Sequence, residues 1–427
     1  MLAVAGCLHD ELFSPERACI VPWILDSQAG PVPLPVRILI TDGEQRASLA
    51  TVRSLGVAGY IAHVCSSSGN SIAGHSRYCA TETRVPDPLS EPAKFADEVV
   101  RLAASLRVDV LLPVTEASLL AVLPLRQAFD CDIPFASADQ FNRICDKAEV
   151  LRVANARGIA VPIQKEICCF PTASDNFASL HFPVVVKPSR SVSGPESARM
   201  RNTVSYSNDE RDLWETLTRL PRSSFPVLLQ ERIVGPGIGV SLLIWNGELR
   251  AAFCHRRIRE KPPSGGVSVL RESIPINNDL LKASVGLLKD LEWQGVAMLE
   301  YKRDMTTGTD YLMEINGRLW GSLQLAIDSG VDFPVLLVEA ALGRPSTPVT
   351  QYRIGVRSQW EWGDVDNLLA VLFHPSNRLA LPSGRPARVA AIAEFLRALR
   401  TGTQSEVFRL SDPLPFIRES VNWILGR

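Results

Sequence analysis

Apolar residues 36–40 run into the polar turn Thr41-Asp42-Gly43, and beyond it Leu49, Val52, Leu55 and Val57 recur at the spacing of one helix face before Gly59. The order is strand, turn, helix. A strand at 60–64, a helix at 92–106 with Phe95, Val99 and Leu102 on one side, and a strand at 109–114 continue the alternation. Elements that alternate in this way predict a parallel sheet between helices, here an α/β domain over 36–140.

From residue 141 the pattern changes. A helix at 148–156 stops at Gly158, and an apolar run ends in Pro183-Val184-Val185-Val186-Lys187-Pro188, followed by the small, polar loop 189–195. Strands are predicted at 227–230 and 239–245, the second running into Asn246-Gly247, a hairpin signal whose return strand is 251–258. This stretch reads as a small α+β lobe at about 180–250 inside a domain of 141–345. The same domain continues with a helix from 284, a strand at 296–301, a turn at 306–308 and a strand at 311–315. The tail, 346–427, carries helical patterns at 365–373 and 389–399 that should pack back on the body, with 378–388 as a locally basic loop. Residues 1–35 read as an N-terminal extension.

At 427 residues, 46% apolar and 21% charged, the chain is an ordinary globular one of two or three domains. Its 45 Lys and Arg against 46 Asp and Glu argue against a broad nucleic-acid or anionic-membrane surface, so any phosphate must be held locally. Apolar runs fall far short of the roughly 20 residues that span a bilayer. Nine cysteines without a CxxC pair argue against a disulfide framework or structural zinc, and Cys168 and Cys169 read as buried small apolar residues. The first 35 residues lack a basic stretch before an apolar core, so no secretory signal is expected and a cytoplasmic location follows. The glycine fingerprint of dinucleotide-binding domains is missing after the first strand, which removes that class.

Chemistry concentrates late in the chain. On a strand, the side chains of Glu314, Asn316 and Arg318 fall on one face. If the hairpin brings Glu300 beside Glu314, two carboxylates and an amide oxygen make a hard-oxygen site for one or two Mg2+ ions, with Arg318 toward the same anions. The plain alternative, a solvated strand face, conflicts with Met298, Leu299, Ile315 and Leu319, which imply a buried hairpin. Alternation on the strand at 251–258 and just beyond it also puts His255, Arg257 and Arg259 on one face, suited to a phosphate, an acyl phosphate or a carboxylate, or else to an exposed basic edge. Lys187 ends a strand of three valines and needs a partner for its charge. Asp42, Arg46, Arg77 and Glu116 fall at strand ends or in loops, where both a structural and a substrate-binding reading stand.

The ordered set Lys147, Lys187, Gln230 to Val234 and Glu300/Glu314/Asn316/Arg318 resembles the ATP-grasp superfamily over residues 36–343. Within it the chain is most similar to the carboxylate-amine ligase branch near D-aspartate ligase and the carbamoyl-phosphate synthase domains, through Arg53-Ser54-Leu55-Gly56, Ser76-Arg77-Tyr78, Arg257-Ile258-Arg259-Glu260 and the glycine loop Gly265-Gly266 with Ser268. The resemblance implies an α/β and α+β architecture, an ATP-grasp fold behind an N-terminal parallel-sheet pre-grasp domain. It implies ATP and Mg2+, with Mn2+ as a substitute.

By the same resemblance, Lys147 and Lys187 meet the nucleotide phosphates. The loop bearing Ser189, Ser193 and Gly194 closes over them through its N–H groups. Gln230, Glu231, Ile233 and Val234 form the hinge, with Glu231 or a neighbouring backbone group at the adenine edge. Glu300, Glu314 and Asn316 hold metal, and Lys187, Arg257, Arg259 and Arg318 neutralise charge during transfer. Where many members carry a ribose-binding acid after the hinge, this chain reads Gly235-Pro236-Gly237-Ile238-Gly239. The implied activity joins a small-molecule carboxylate to an amine through an acyl phosphate with release of ADP, in a homodimer or alone. The alternatives are a phosphotransferase, a bicarbonate-using carboxylase or a nucleotide-binding module without turnover. Neither a biotinyl Met-Lys-Met nor a glutaminase partner accompanies the set.

Overall fold

The computed structural model describes residues 35–427 apart from 173–176, 178–179, 196, 345–346, 375–380, 382–386, 401 and 427. The N-terminal extension, and most of the basic loop at 378–388, lie outside the described residues.

Strand β1 (Arg37–Ile40), helix α1 (Arg46–Val57), β2 (Ile61–Ser66), β3 (Cys79–Arg84), α2 (Pro92–Leu106) and β4 (Val110–Leu112) form the first layer. Its sheet is parallel throughout, in the order β3-β2-β1-β4, and is filled by Ile38, Leu39, Ile40, Val64, Leu111 and Leu112. Helix α2 buries the expected Phe95, Val99 and Leu102 and ends on Arg107 in the left-handed region. Asp42 settles into a structural role. It is buried, sits at φ 56° after β1, and accepts hydrogen bonds from Thr115 N–H and Oγ1 and from Ser118 Oγ, tying β1 to α3 (Glu116–Val122). Helices α4 (Ala138–Cys145) and α5 (Lys147–Ala156) then meet at Asp146, whose carboxylate caps α5.

A small antiparallel sheet follows. Strands β5 (Gln164–Ile167), β6 (Val184–Pro188), β9 (Ser205–Ser207) and β10 (Val227–Glu231) pair in the order β5-β10-β6-β9, backed by α6 (Glu210–Arg219). Between them β7 (Val192–Ser193) and β8 (Met200–Arg201) make a short hairpin. Val184, Val186, Val227, Leu229, Leu213 and Leu217 form a core of their own.

The largest sheet carries β11 (Gly237–Trp245), β12 (Glu248–Lys261), β13 (Val267–Ser273), β14 (Gly295–Arg303), β15 (Asp310–Asn316), β16 (Arg357–Gln359) and β17 (Gln404–Ser405), in the order β15-β14-β11-β12-β13-β16-β17. The hairpin β11–β12 turns where expected, with Asn246 and Gly247 at φ 53° and 76°. Two expectations are revised. Strand β11 and the start of β12 belong to this sheet and not to the small lobe, because β11 pairs on both sides along a buried length that reaches Ile244. The tail is also more than helical: beside α10 (Glu361–Phe373), α11 (Arg388–Arg400) and α12 (Leu414–Ile424) it supplies β16 and β17. A segment as short and polar as Arg-Ser-Gln, though paired on both sides, leaves no period to read. Helices α7 (Asn278–Asp290), α8 (Leu323–Ser329) and α9 (Phe333–Ala341) complete the body. Cys168 and Cys169 are exposed, against expectation, since they follow the end of β5 and its core.

Candidate active site

Glu300 and Glu314 stand directly opposite each other on β14 and β15, with Gly239 of β11 on the far side of Glu300 and His255 of β12 beyond it. Two facing carboxylates repel unless cations intervene. Here they do. Lys187 Nζ, at the end of β6, lies 2.9 Å from Glu314 Oε2, and Lys147 Nζ, at the start of α5, lies 3.9 Å from the same atom. Arg257 Nη2 pairs with Glu300 Oε2 at 2.6 Å and Arg257 Nη1 with Glu260 Oε1 at 3.0 Å. Burial on its own would raise the Glu314 carboxyl, but Lys187 and Lys147 outweigh it and hold the group well below the usual carboxylate range. Burial lowers the Lys147 ammonium, and Glu314 offsets part of that.

Asn316 joins the pair. Its Nδ2 donates to Glu300 Oε1 at 3.1 Å and to Glu314 Oε1 at 3.4 Å, while its Oδ1 accepts from Arg318 Nη2 at 3.1 Å. An N–H2 donor thus lies between two carboxylate oxygens, the place a cation fits. Hard anionic oxygens with an adjacent amide are the donor set for Mg2+, so the residues present suit that ion.

The residues expected to meet the nucleotide divide. Lys147 and Lys187 converge on Glu314. Ser189 does not face outward: it is buried, its Oγ donates to Asp146 Oδ1 at 2.5 Å, and its N–H donates to Pro226 O. It anchors the base of the loop. Ser193 Oγ accepts from Asn202 Nδ2 at 2.9 Å within the β7–β8 hairpin, and Gly194, at φ 108°, makes the turn, where a Cβ would lie 2.8 Å from Ala198 O. Gln230 is buried two residues along β10 from Leu228, the partner of Lys187. Its Nε2 donates to Gln164 Oε1 at 2.8 Å, leaving its own Oε1 without a partner. The Glu231 N–H is spent on Ile163 O and the Val234 carbonyl on Met305 N–H, whereas the Glu231 side chain is exposed and Ile233 is buried.

Arg259 is a correction. A bulge at Ile258 breaks the alternation of β12, so Arg257 opposes Arg271 and Arg259 opposes Leu270. Arg259 therefore leaves the face of Arg257 and forms a two-pronged salt bridge with buried Asp364 of α10. His255 keeps its place beside Gly239, but it is a buried neutral residue: burial and the nearby Arg257 and Arg271 push its imidazole well below its usual value.

Several residues join that were undecided or unnoticed. Glu116 accepts from Val192 N–H at 3.2 Å and lies within electrostatic reach of Lys147, Arg318 and Glu314; burial raises its carboxyl. Its signal was its position just after a parallel strand. Lys302 shares the period-two face of Glu300, and burial lowers its ammonium. Arg46 pairs with Glu406 of the tail, for which nothing in the local sequence prepares.

A small antiparallel lobe delivering Lys187, set against a large sheet carrying paired carboxylates, is the ATP-grasp fold. Residues 223–362 match the family described as ATP-grasp in the biosynthetic pathway with Ter operon. Among solved structures the chain is similar to an L-amino acid ligase from Bacillus licheniformis (17% identity over 72% of this chain and 74% of that one, TM-score 0.57). It is similar also to N5-carboxyaminoimidazole synthetase from Staphylococcus aureus (14%, 80% and 87%, TM-score 0.58). A third is the biotin carboxylase domain of the Hydrogenobacter thermophilus 2-oxoglutarate carboxylase, solved with MgADP and bicarbonate (13%, 75% and 73%, TM-score 0.58). Comparison with curated protein sequences gave no match. Among the described residues no helix is long and apolar enough to cross a membrane.

Proposed function

We propose that the protein is an ATP-dependent carboxylate-amine ligase. The carboxylate of one substrate attacks the γ-phosphate of ATP to give an acyl phosphate and ADP, and an amine then attacks the acyl carbon and displaces phosphate. The observation that carries this reading is the meeting of Glu300, Glu314 and Asn316 with Lys147, Lys187, Arg257 and Arg318 on one face. Paired carboxylates flanked by four cations suit an anionic, phosphorylated intermediate better than a neutral alcohol acceptor.

In this scheme Lys147 and Lys187 bind phosphate oxygens, exchanging Glu314 for the nucleotide. Arg257 and Arg318 stabilise the charge that grows on the transferred group, so positioning and electrostatics carry the rate and no protein nucleophile is required. Bound by Glu300, Glu314 and Asn316, Mg2+ would supply charge neutralisation at the phosphates, and Mn2+ accepts the same oxygen ligands. Gln230 Oε1, buried and without a partner, is an acceptor available to the adenine amino group. Arg259, neutralised by Asp364, takes no part. The likeness to an L-amino acid ligase supports this chemistry, and the need for ATP supports a cytoplasmic location.

A carboxylate screen with ATP, Mg2+ and hydroxylamine in place of the amine tests the proposal. ADP and a hydroxamate should appear together. Formation of AMP, or of a stable phosphorylated alcohol without hydroxamate, would overturn it.

A further inference from the structure

Past Arg257, the same face of the large sheet runs through Arg271 of β13 to Ser358 of β16, residues paired across successive strands. Its far end is closed by the chain's own tail. Glu406, just after β17, donates its backbone N–H to Gln359 O at 2.8 Å and turns its carboxylate onto Arg271 and onto Arg46 of α1. The Arg46 guanidinium lies 3.8 Å from the centre of the Trp360 ring, and a Cβ on Gly321 would lie 3.4 Å from Arg46 Nη2. This corner therefore adjoins the loop that starts at Arg318.

The corner is full of unspent hydrogen-bonding capacity. Glu406 is 2% exposed, yet its Oε1 has no partner. Glu361 accepts from Ser405 Oγ, and Glu419 accepts from Trp360 Nε1 at 2.9 Å, but the second oxygen of each is buried without a donor. Arg271, 0% exposed, has an unpartnered Nε, and Ser358 an unpartnered Oγ. Orphaned buried polar atoms each cost about 1–3 kcal/mol, so a cluster of five calls for a ligand. The neighbouring carboxylates Glu361, Glu406 and Glu419 interact electrostatically, and burial raises Glu361 and Glu419 to about 7. Among the described residues no group of three or more His, Cys, Asp or Glu side chains is arranged to hold a metal ion. Three of the five, the carboxylate oxygens, are acceptors without donors, while the Arg271 Nε–H is the one orphaned nitrogen donor beside them.

We propose that Glu361, Glu406 and Glu419, floored by Trp360 and backed by Arg271, form the subsite for a primary ammonium group, the amine substrate of the ligase. Three acceptor oxygens without donors match the three N–H bonds of R–NH3+, and the adjacent Arg318 loop leads toward the phosphate end of the face. The assignment of the ammonium as co-substrate rests on the ligase reading; its binding does not.

Titration with ethylammonium chloride, followed by tryptophan emission and corrected for potassium chloride at equal ionic strength, tests the binding without any turnover. A saturable change is expected. It should be absent in Trp360→Phe and shifted at least tenfold to higher concentration in Glu406→Gln and Glu419→Gln. Glu406→Gln removes the carboxylate shared by two arginines and can unfold. Glu419→Gln, whose hydrogen bond is to Trp360, keeps the test decisive, with circular dichroism as the control for folding. The absence of a saturable change, an unchanged titration in folded Glu419→Gln, or equal binding of tetramethylammonium, which has no N–H, would overturn the subsite. Hydroxamate formation in the unaltered protein reports separately on the ligase reading.

Discussion

Arg53 and Asp412, 359 residues apart in the chain, form a buried salt bridge of 2.8 Å between α1 and the segment leading into α12. The same carboxylate accepts from Ser76 Oγ at 2.7 Å and from Arg77 N–H at 2.8 Å, so both short motifs of the first domain converge on the tail. Burial lowers the Arg53 guanidinium, and Asp412 opposes that shift. Asp412→Ala leaves a buried guanidinium unpaired and should cost about 3–5 kcal/mol. Urea denaturation measures it; a loss under about 1 kcal/mol would contradict this role.

Glu314→Gln removes one anion from between two lysines. ATP-dependent ADP release should fall by about 10²-fold or more, while circular dichroism stays that of the folded protein. Because the folded Glu314 carboxyl is held below its unfolded value of 4.5, its contribution to stability is present above that pH and disappears in stronger acid. The urea midpoints of the two proteins should thus differ at pH 7 and converge as the pH falls below about 4.

Arg257→Ala leaves Glu300 and Glu260 facing each other without the guanidinium between them. The expected signature is a fall of about 10² in kcat with a smaller change in the KM for ATP, as for a group that stabilises the transition state more than the ground state. Steady-state assays at saturating Mg2+ distinguish this from a loss of nucleotide binding.

Gly239→Ala places a Cβ onto the ring of buried His255. His255 is hemmed in beside Phe253 and Ser322, so the ring has little room to give. Overpacking of this kind costs about 1–3 kcal/mol and should lower the melting temperature measurably by scanning calorimetry.

Glu361 and Glu419, raised to about 7 when folded, bind protons more tightly in the folded than in the unfolded chain. That contribution to stability is complete below about pH 4.5 and is lost as the pH rises toward 7. Glu361→Gln and Glu419→Gln should therefore melt higher than the unaltered protein at pH 8 and close to it at pH 4.5. An identical difference at both pH values would exclude the raised carboxyls.

Elements with strong periods, and the chemistry that repeats along one strand, can be read from the order of residues. The helix at Pro92–Leu106 and the Asn246-Gly247 hairpin were legible because burial of one face and a positive-φ turn leave local marks. So were Glu300, Glu314 and Asn316, since period-two spacing on β15 and a short hairpin fix their side of the sheet. The remaining features rest on contacts with no sequence period. A single bulge residue, Ile258, turned Arg259 away from Arg257 and toward Asp364, 105 positions later. The closure of the face by Glu406, held between Arg46 and Arg271, depends on three segments that meet only when the sheet is complete, and a charge has no way to name a distant partner before packing brings it there.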